Sequence, residues 1–241
     1  MLDDIFKDLL NYFSLGKDKN FSQANQDLFV LYFTHYAEKK GFYLEIGAGD
    51  GVTISNTYLL EKLGWQGIIV DPVNYNSENI KLRKCIKDNR AVYSKSGLKL
   101  PFFAVEPNPE YTMQGENFSG ILEHIGDHNK TLPNKIINVE TVSLNDLLEQ
   151  YNAPNKIDYI SIDTEGSEFE IINNFDFNKY DVEIFTIEHN QANFRNDIIK
   201  LLNDKGYFRL PNLSQGGFVV QYEDWFIKNN NPVLKKLLSK F

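Results

Sequence analysis

Cysteine is almost missing from this chain of 241 residues: Cys85 stands alone. No intramolecular disulfide can form and no cysteine-based zinc site can be built. A reducing compartment fits that composition. Long apolar runs are missing too. Nothing approaches the roughly 20 consecutive apolar residues that span a bilayer. Residues 1–13 alternate apolar and acidic side chains, without the basic end and continuous apolar run of a secretory leader. The expectation is a soluble, cytoplasmic protein with no membrane partner. Positive charge is in deficit, 25 Lys and Arg against 33 Asp and Glu, a net charge of −8. A binder of phosphate backbones needs a basic face, so nucleic acid is not expected as the partner. No G-x-S-x-G elbow occurs, which argues against a serine hydrolase of the α/β type.

What is present is globular. Hydrophobic residues make up 42% of the chain, enough for one sizeable core. The reading is a single domain over 1–241, with an N-terminal helical segment (1–40) and an insertion (95–140). Leu2, Ile5, Phe6, Leu9, Leu10 and Phe13 recur at helical spacing, predicting a helix over 2–14, and a second is predicted over 25–38. Then strands and helices alternate: strand 42–46, helix 56–63, strand 67–70, helix 75–86, strand 89–93. That is the grammar of a parallel α/β sheet with helices on both faces. Residues 95–140 break the rhythm with repeated Gly and Pro. They read as a strand near 101–105 plus a long irregular segment, of the kind that forms lids. The rhythm resumes with helix 144–150, strand 159–162, helix 168–173, strand 182–187, helix 193–203, strands 207–210 and 217–222, and a terminal helix over 233–240.

The first strand runs into Gly47-Ala48-Gly49-Asp50-Gly51, and the second ends in Asp71. A glycine-rich turn lets backbone approach a ligand at the carboxyl edge of such a sheet. Asp71 can accept both hydroxyls of a ribose. Two cofactor classes use this arrangement. A dinucleotide needs G-x-G-x-x-G with its pyrophosphate on a helix N-terminus. Here Gly47 and Gly49 fit, but the third position is Val52, and Glu45 before the loop would repel a pyrophosphate. Glu45 suits the ammonium of a methionine moiety instead. The charge pattern favours S-adenosylmethionine over NAD. An NAD-dependent oxidoreductase or epimerase is the runner-up, followed by a non-catalytic protein that binds cofactor or glycan.

Several blocks together resemble the FkbM family of methyltransferases. They are Phe21-Ser22-Gln23-Ala24-Asn25-Gln26-Asp27, the segment Gly41 to Gly51, Ser55-Asn56-Thr57, Gly64-Trp65-Gln66-Gly67, and Asp158-Tyr159-Ile160-Ser161-Ile162-Asp163-Thr164-Glu165-Gly166-Ser167-Glu168. The sequence departs from the family at Asn25, where glycine is more usual. The resemblance implies a class I methyltransferase fold, a Rossmann-like seven-stranded, mostly parallel sheet closed by an antiparallel hairpin. It also implies O-methylation of a hydroxyl, on a sugar or nucleotide-linked sugar of a surface (capsular) polysaccharide or on another small molecule. By resemblance Ser22, Gln23 and Gln26 hold the methionine end of the donor. Asn89 and Ala91 sit where the third strand passes the adenine, with Asn89 the candidate contact. Gly47, Gly49 and Asp50 form the loop around it.

A sugar hydroxyl is a poor nucleophile at neutral pH, so a base or a metal is required. Asp163 ends the fourth strand and Glu188-His189-Asn190 ends the fifth. This resembles metal-dependent O-methyltransferases, with Asp163, Glu188 and His189 as ligands to Mg²⁺ or Mn²⁺. Without a metal, His189 would be the general base, its ring oriented by Asp163 or Glu188, with Glu165 the other candidate. Glu168 and Glu170 read as a solvated helix start. His124 and His128 read as loop residues. Tyr111, Met113 and Phe118 either cover the acceptor or form satellite core. The 2–14 helix and the aromatic tail Tyr222-Glu223-Asp224-Trp225-Phe226 suggest a homodimer, or packing within the chain.

Overall fold

The computed structural model describes residues 11–12, 20–34, 40–73, 77–106, 118–127, 129–210 and 222–239. The helix expected over 2–14 lies almost wholly outside them. In chain order the elements are α1 (Gln26–Thr34), β1 (Phe42–Ile46), α2 (Tyr58–Lys62), β2 (Gln66–Val70), β3 (Ile86–Asp88), β4 (Ala91–Tyr93), β5 (Lys99–Val105), β6 (Gly120–Ile121) and β7 (Asn134–Ser143). They continue with α3 (Leu144–Gln150), β8 (Lys156–Ile162), α4 (Glu168–Asn173), β9 (Asp181–Glu188), α5 (Arg195–Asp204), β10 (Tyr207–Arg209), β11 (Glu223–Lys228) and α6 (Pro232–Leu238).

Seven strands form one sheet in the order β10-β11-β9-β8-β1-β2-β3. All neighbours pair in parallel except β11, which runs antiparallel to both β9 and β10. This is the class I methyltransferase arrangement. The order reverses between β1 and β8, the switch point where open α/β sheets take their ligands. Strand alternation sorts the core onto two faces. Tyr43, Tyr159, Ile184, Trp225 and Ile227 meet α1 and α6 on one. Leu44, Ile46, Ile160, Ile162, Phe185 and Phe226 meet α3, α4 and α5 on the other.

Several expectations need revision. No α-helix forms in the described part of 75–86. A 3₁₀ turn covers Ile80–Leu82, and the third strand of the sheet is Ile86–Asp88. The strand expected over 89–93 is split, because Asp88 accepts the backbone N–H and guanidinium of Arg90 and closes a tight turn. Its second half, β4, joins a separate sheet. The insertion is ordered where described: β4, β7, β5 and β6 form a four-stranded sheet, with β7 ten residues long. Finally, a strand runs over 223–228, while the strand expected over 217–222 lies, but for Tyr222, outside the described residues. The aromatic tail is therefore an internal strand, and Trp225 packs on Phe29 with centroids 4.4 Å apart. It gives no reason for a dimer.

The segment ahead of α1 explains the departure at Asn25. Its φ is 65°, a left-handed conformation that glycine takes freely and asparagine tolerates. Its Oδ1 accepts from Asn20 Nδ2 at 2.8 Å.

Where β1 and β8 end together, Gly47 has φ +81°, and a Cβ there would lie 1.6 Å from the Asp163 carbonyl oxygen. Gly47→Ala is expected to cost about 3 kcal/mol or more, from overpacking and from a strained φ. Chemical denaturation checks this; an unchanged midpoint would contradict the close approach.

Candidate active site

Alternation decides which acids meet. On β8 the side chains of Tyr159 and Ser161 share a face, and Ser161 pairs with Thr186 of β9. Two residues on, Asp163 and Glu188 therefore emerge side by side at the carboxyl edge. Glu165, with φ 59°, turns in from the following loop. Oxygens of Asp163, Glu165 and Glu188 all lie within 4.8 Å of one another. Asn190 Nδ2 donates to Glu188 at 2.9 Å and to Glu165 at 3.0 Å, and Asn129 Nδ2 donates to Glu165 at 3.3 Å. Burial, and then the neighbouring acids, push Asp163 up to about 7 and raise Glu165 and Glu188 well above the usual range.

His189 does not join them. One residue beyond Glu188, it falls on the opposite side of the strand, 2% exposed, with Nε2 3.6 Å from Asp224. Its Nδ1 accepts from Gln191 N at 2.9 Å, so the neutral ring carries its proton on Nε2. Burial pushes its pKa down to about 4. His189 therefore lies outside the acidic cluster, and Glu165 stands where it was expected. Glu168 is not a solvated helix acid either. It is buried and accepts from the backbone N–H groups of Thr164 and Gly166, which fixes the turn that carries Glu165.

Beside the acids, at the switch point, lies a cleft. Gly47, Asp71, Ala91, Phe102, Ile121 and Asp163 are among its walls. Asp71 accepts from Gly49 N at 2.9 Å and Val73 N at 2.8 Å, which fixes its carboxylate at the end of β2. Most of the loop's own donors are spent. Gly47 N and Ala48 N go to the Val70 carbonyl, and Gly51 N to Ala48 O. Val52 N and Thr53 N go to Asp50. No helix starts at the loop, since α2 begins only at Tyr58. A pyrophosphate would find no helix N-terminus there and no set of convergent free N–H groups.

Six residues expected at the donor lie elsewhere. Glu45 is 3% exposed, and its carboxylate accepts from Asn56 N, Ser55 Oγ and Thr57 Oγ1. Asp50 accepts from Asn79 as well as Thr53 and so closes its own loop. Ser22 bonds Asp27 at the start of α1, and Gln26 donates to Glu223 of β11. Gln23 and Asn89 are exposed, and neither lines the cleft. Ala91 does.

A model of the methyltransferase FkbM domain matches residues 45–209. The chain belongs to the FkbM methyltransferase family. S-adenosylmethionine is the donor this membership implies. No curated protein matches the chain. Among solved structures it is similar to a precorrin-6y C5,15-methyltransferase from Geobacter metallireducens GS-15, at 12% identity and a TM-score of 0.40, covering 87% of this chain and 93% of that one. The donor-loop chemistry fits the family: a phosphate-free, cationic donor needs no N–H cradle, and Asp71 stands where a ribose can be held.

In this FkbM member an unforeseen residue, Arg83, supports the loop. Its side chain is fully buried. It donates to Glu61, to Gly51 O, to Tyr43 Oη and to Thr57, and lies 3.6 Å from Glu45. A lone arginine before a short strand gave no sequence signal; only the fold brings its partners together. Of the insertion's candidates, Phe118 packs with Phe103, Val105 and Ile125 as satellite core. His124 bonds Tyr93 Oη at 2.9 Å, away from any metal cluster among the described residues. Tyr111, Met113 and His128 lie outside those residues.

Burial alone would raise Glu61, but the Lys84 N–H and the Arg83 guanidinium hold it down at about 2. A carboxylate with a depressed folded pKa stabilises the protein above about 4.5, and that contribution is lost as pH falls towards 2. It is worth about 3 kcal/mol at most. The stability difference between wild type and Glu61→Gln, measured by urea denaturation, should shrink over that window. A constant difference would contradict the pairing.

Proposed function

We propose that the protein transfers a methyl group from S-adenosylmethionine to a neutral hydroxyl group of a small acceptor. The proposed acceptor is a sugar, or the sugar of a nucleotide-linked precursor of a surface polysaccharide, and the proposed setting is the cytoplasm. The observation that carries the hydroxyl is the cluster Asp163–Glu165–Glu188 beside the donor cleft. The sugar follows from the family resemblance.

When bound, the donor supplies an electrophilic methyl on a sulfonium. The chain's part is alignment and proton removal. Asp71 holds the ribose end. Gly47 lets that end of the cleft reach the strand that carries Asp163. A carboxylate oxygen of the cluster accepts the proton that leaves the acceptor hydroxyl. The acidic mouth favours a neutral reacting group over an anionic one. The dinucleotide alternative draws no support from a loop most of whose N–H groups are already bonded.

Three measurements test this reading. S-adenosylhomocysteine at a hundredfold excess over its Kd should stabilise the protein by about 2.7 kcal/mol, while NAD should do nothing; stabilisation by NAD alone would overturn the donor. Asp71→Ala should weaken binding of S-adenosylhomocysteine by about tenfold or more, since a charged ribose contact is lost. Asp163→Asn should keep that affinity but lower transfer of labelled methyl to hydroxyl acceptors by about a hundredfold. Full transfer in Asp163→Asn would remove the cluster from the chemistry.

A further inference from the structure

The buried and half-buried acids of this protein fall into two groups. Most have donors of their own. Glu45 has three hydroxyl and N–H donors and Arg83; Asp224 has Arg195 and Arg209. Glu223 has Gln26 and Trp225, Asp27 has Ser22 and Phe21, and Glu168 has Thr164 and Gly166. Asp163, Glu165 and Glu188 are different: the glutamates have only the neutral amides of Asn129 and Asn190, and Asp163 has Glu188 itself as a partner. They face one another, and among the described residues no lysine or arginine pairs with any of them. Asp163 Oδ1 is shut off from solvent with no hydrogen-bond partner at all. An acceptor stranded in this way is costly, by about 1–3 kcal/mol even when neutral and more when charged. A proton shared within the cluster would quieten one repulsion and still leave Oδ1 with nothing to accept.

We propose that Asp163, Glu165 and Glu188 bind one divalent cation of the Mg²⁺ or Mn²⁺ class at the mouth of the cleft. Three carboxylates supply the oxygen-only, anionic donor set such ions prefer, and the absence of sulfur or imidazole disfavours zinc. Asn190 and Asn129 donate to the glutamates from behind, as outer partners that aim ligating carboxylates do. The site uses half of an octahedral shell. The remaining positions suit water and neutral oxygens of an acceptor, most strongly two neighbouring hydroxyls. The last point rests on the hydroxyl reading; the cation site does not.

The test is Mn²⁺ binding to the full chain, read from the loss of the free-ion paramagnetic resonance signal, with and without S-adenosylhomocysteine. The expected result is one ion per chain, displaced by Mg²⁺. Binding should weaken about tenfold or more in Glu188→Gln and in Glu165→Gln. These isosteric changes remove buried negative charge, and thermal melts verify folding. Asn190→Ala, which removes no ligand, should weaken the ion by a smaller factor. No binding by wild type at millimolar Mn²⁺, or equal binding in Glu165→Gln and Glu188→Gln, would overturn the site. Calorimetry with S-adenosylhomocysteine in EDTA separates the two readings. Donor binding together with no Mn²⁺ binding by the wild type refutes the cation site alone, and Mn²⁺ binding without donor binding refutes the methyl-transfer reading alone.

Discussion

No side chain can stand at position 47. The end of β1 lies directly against the end of β8, with Asp163 N bonded to Ile46 O at 3.0 Å and the Asp163 carbonyl where a Cβ of residue 47 would be. That close approach joins the two halves of the site. On one side of it the glycine loop and Asp71 border the cleft; on the other the acids gather. A sheet spread by even one methyl group here would separate the donor's place from the groups that act on the acceptor.

The loop itself is held from beneath. Arg83 ties Gly51 to α2 through Glu61 and to the centre of the sheet through Tyr43, while Glu45 secures residues 55–57. A buried ion pair of this kind is weak evidence for net stability, because desolvation offsets much of its attraction. Its value is conformational. It fixes a loop that has already used most of its N–H groups internally. Such a loop suits a donor recognised by shape and by Asp71, and not one recognised through phosphate.

Much of this was legible in the sequence because it depends on local pattern. The β–α rhythm, the glycine loop, Asp71 and Asp163 all follow from short apolar runs and the residues that end them. Other features depended on which way a side chain faces. Glu188 and His189 are adjacent in sequence and sit on opposite sides of the sheet, and period two was enough to say that both cannot serve one site. Glu45 looked ligand-directed, but its partners Ser55, Asn56 and Thr57 come back to it only once the loop is folded. The 95–140 segment was read from its Gly and Pro content, although the alternating Ile137, Val139 and Thr141 of β7 carried a strand signal. Arg83 could not be found from pattern at all, since its partners span 43 to 61.

The central claim is that donor and acids share one edge of the sheet. A crystal structure with S-adenosylhomocysteine bound tests it most directly. The account predicts the ribose on Asp71 and the sulfur directed towards Asp163, Glu165 and Glu188. A ligand bound away from the β1–β8 switch point, or with its sulfur turned from those acids, would contradict it.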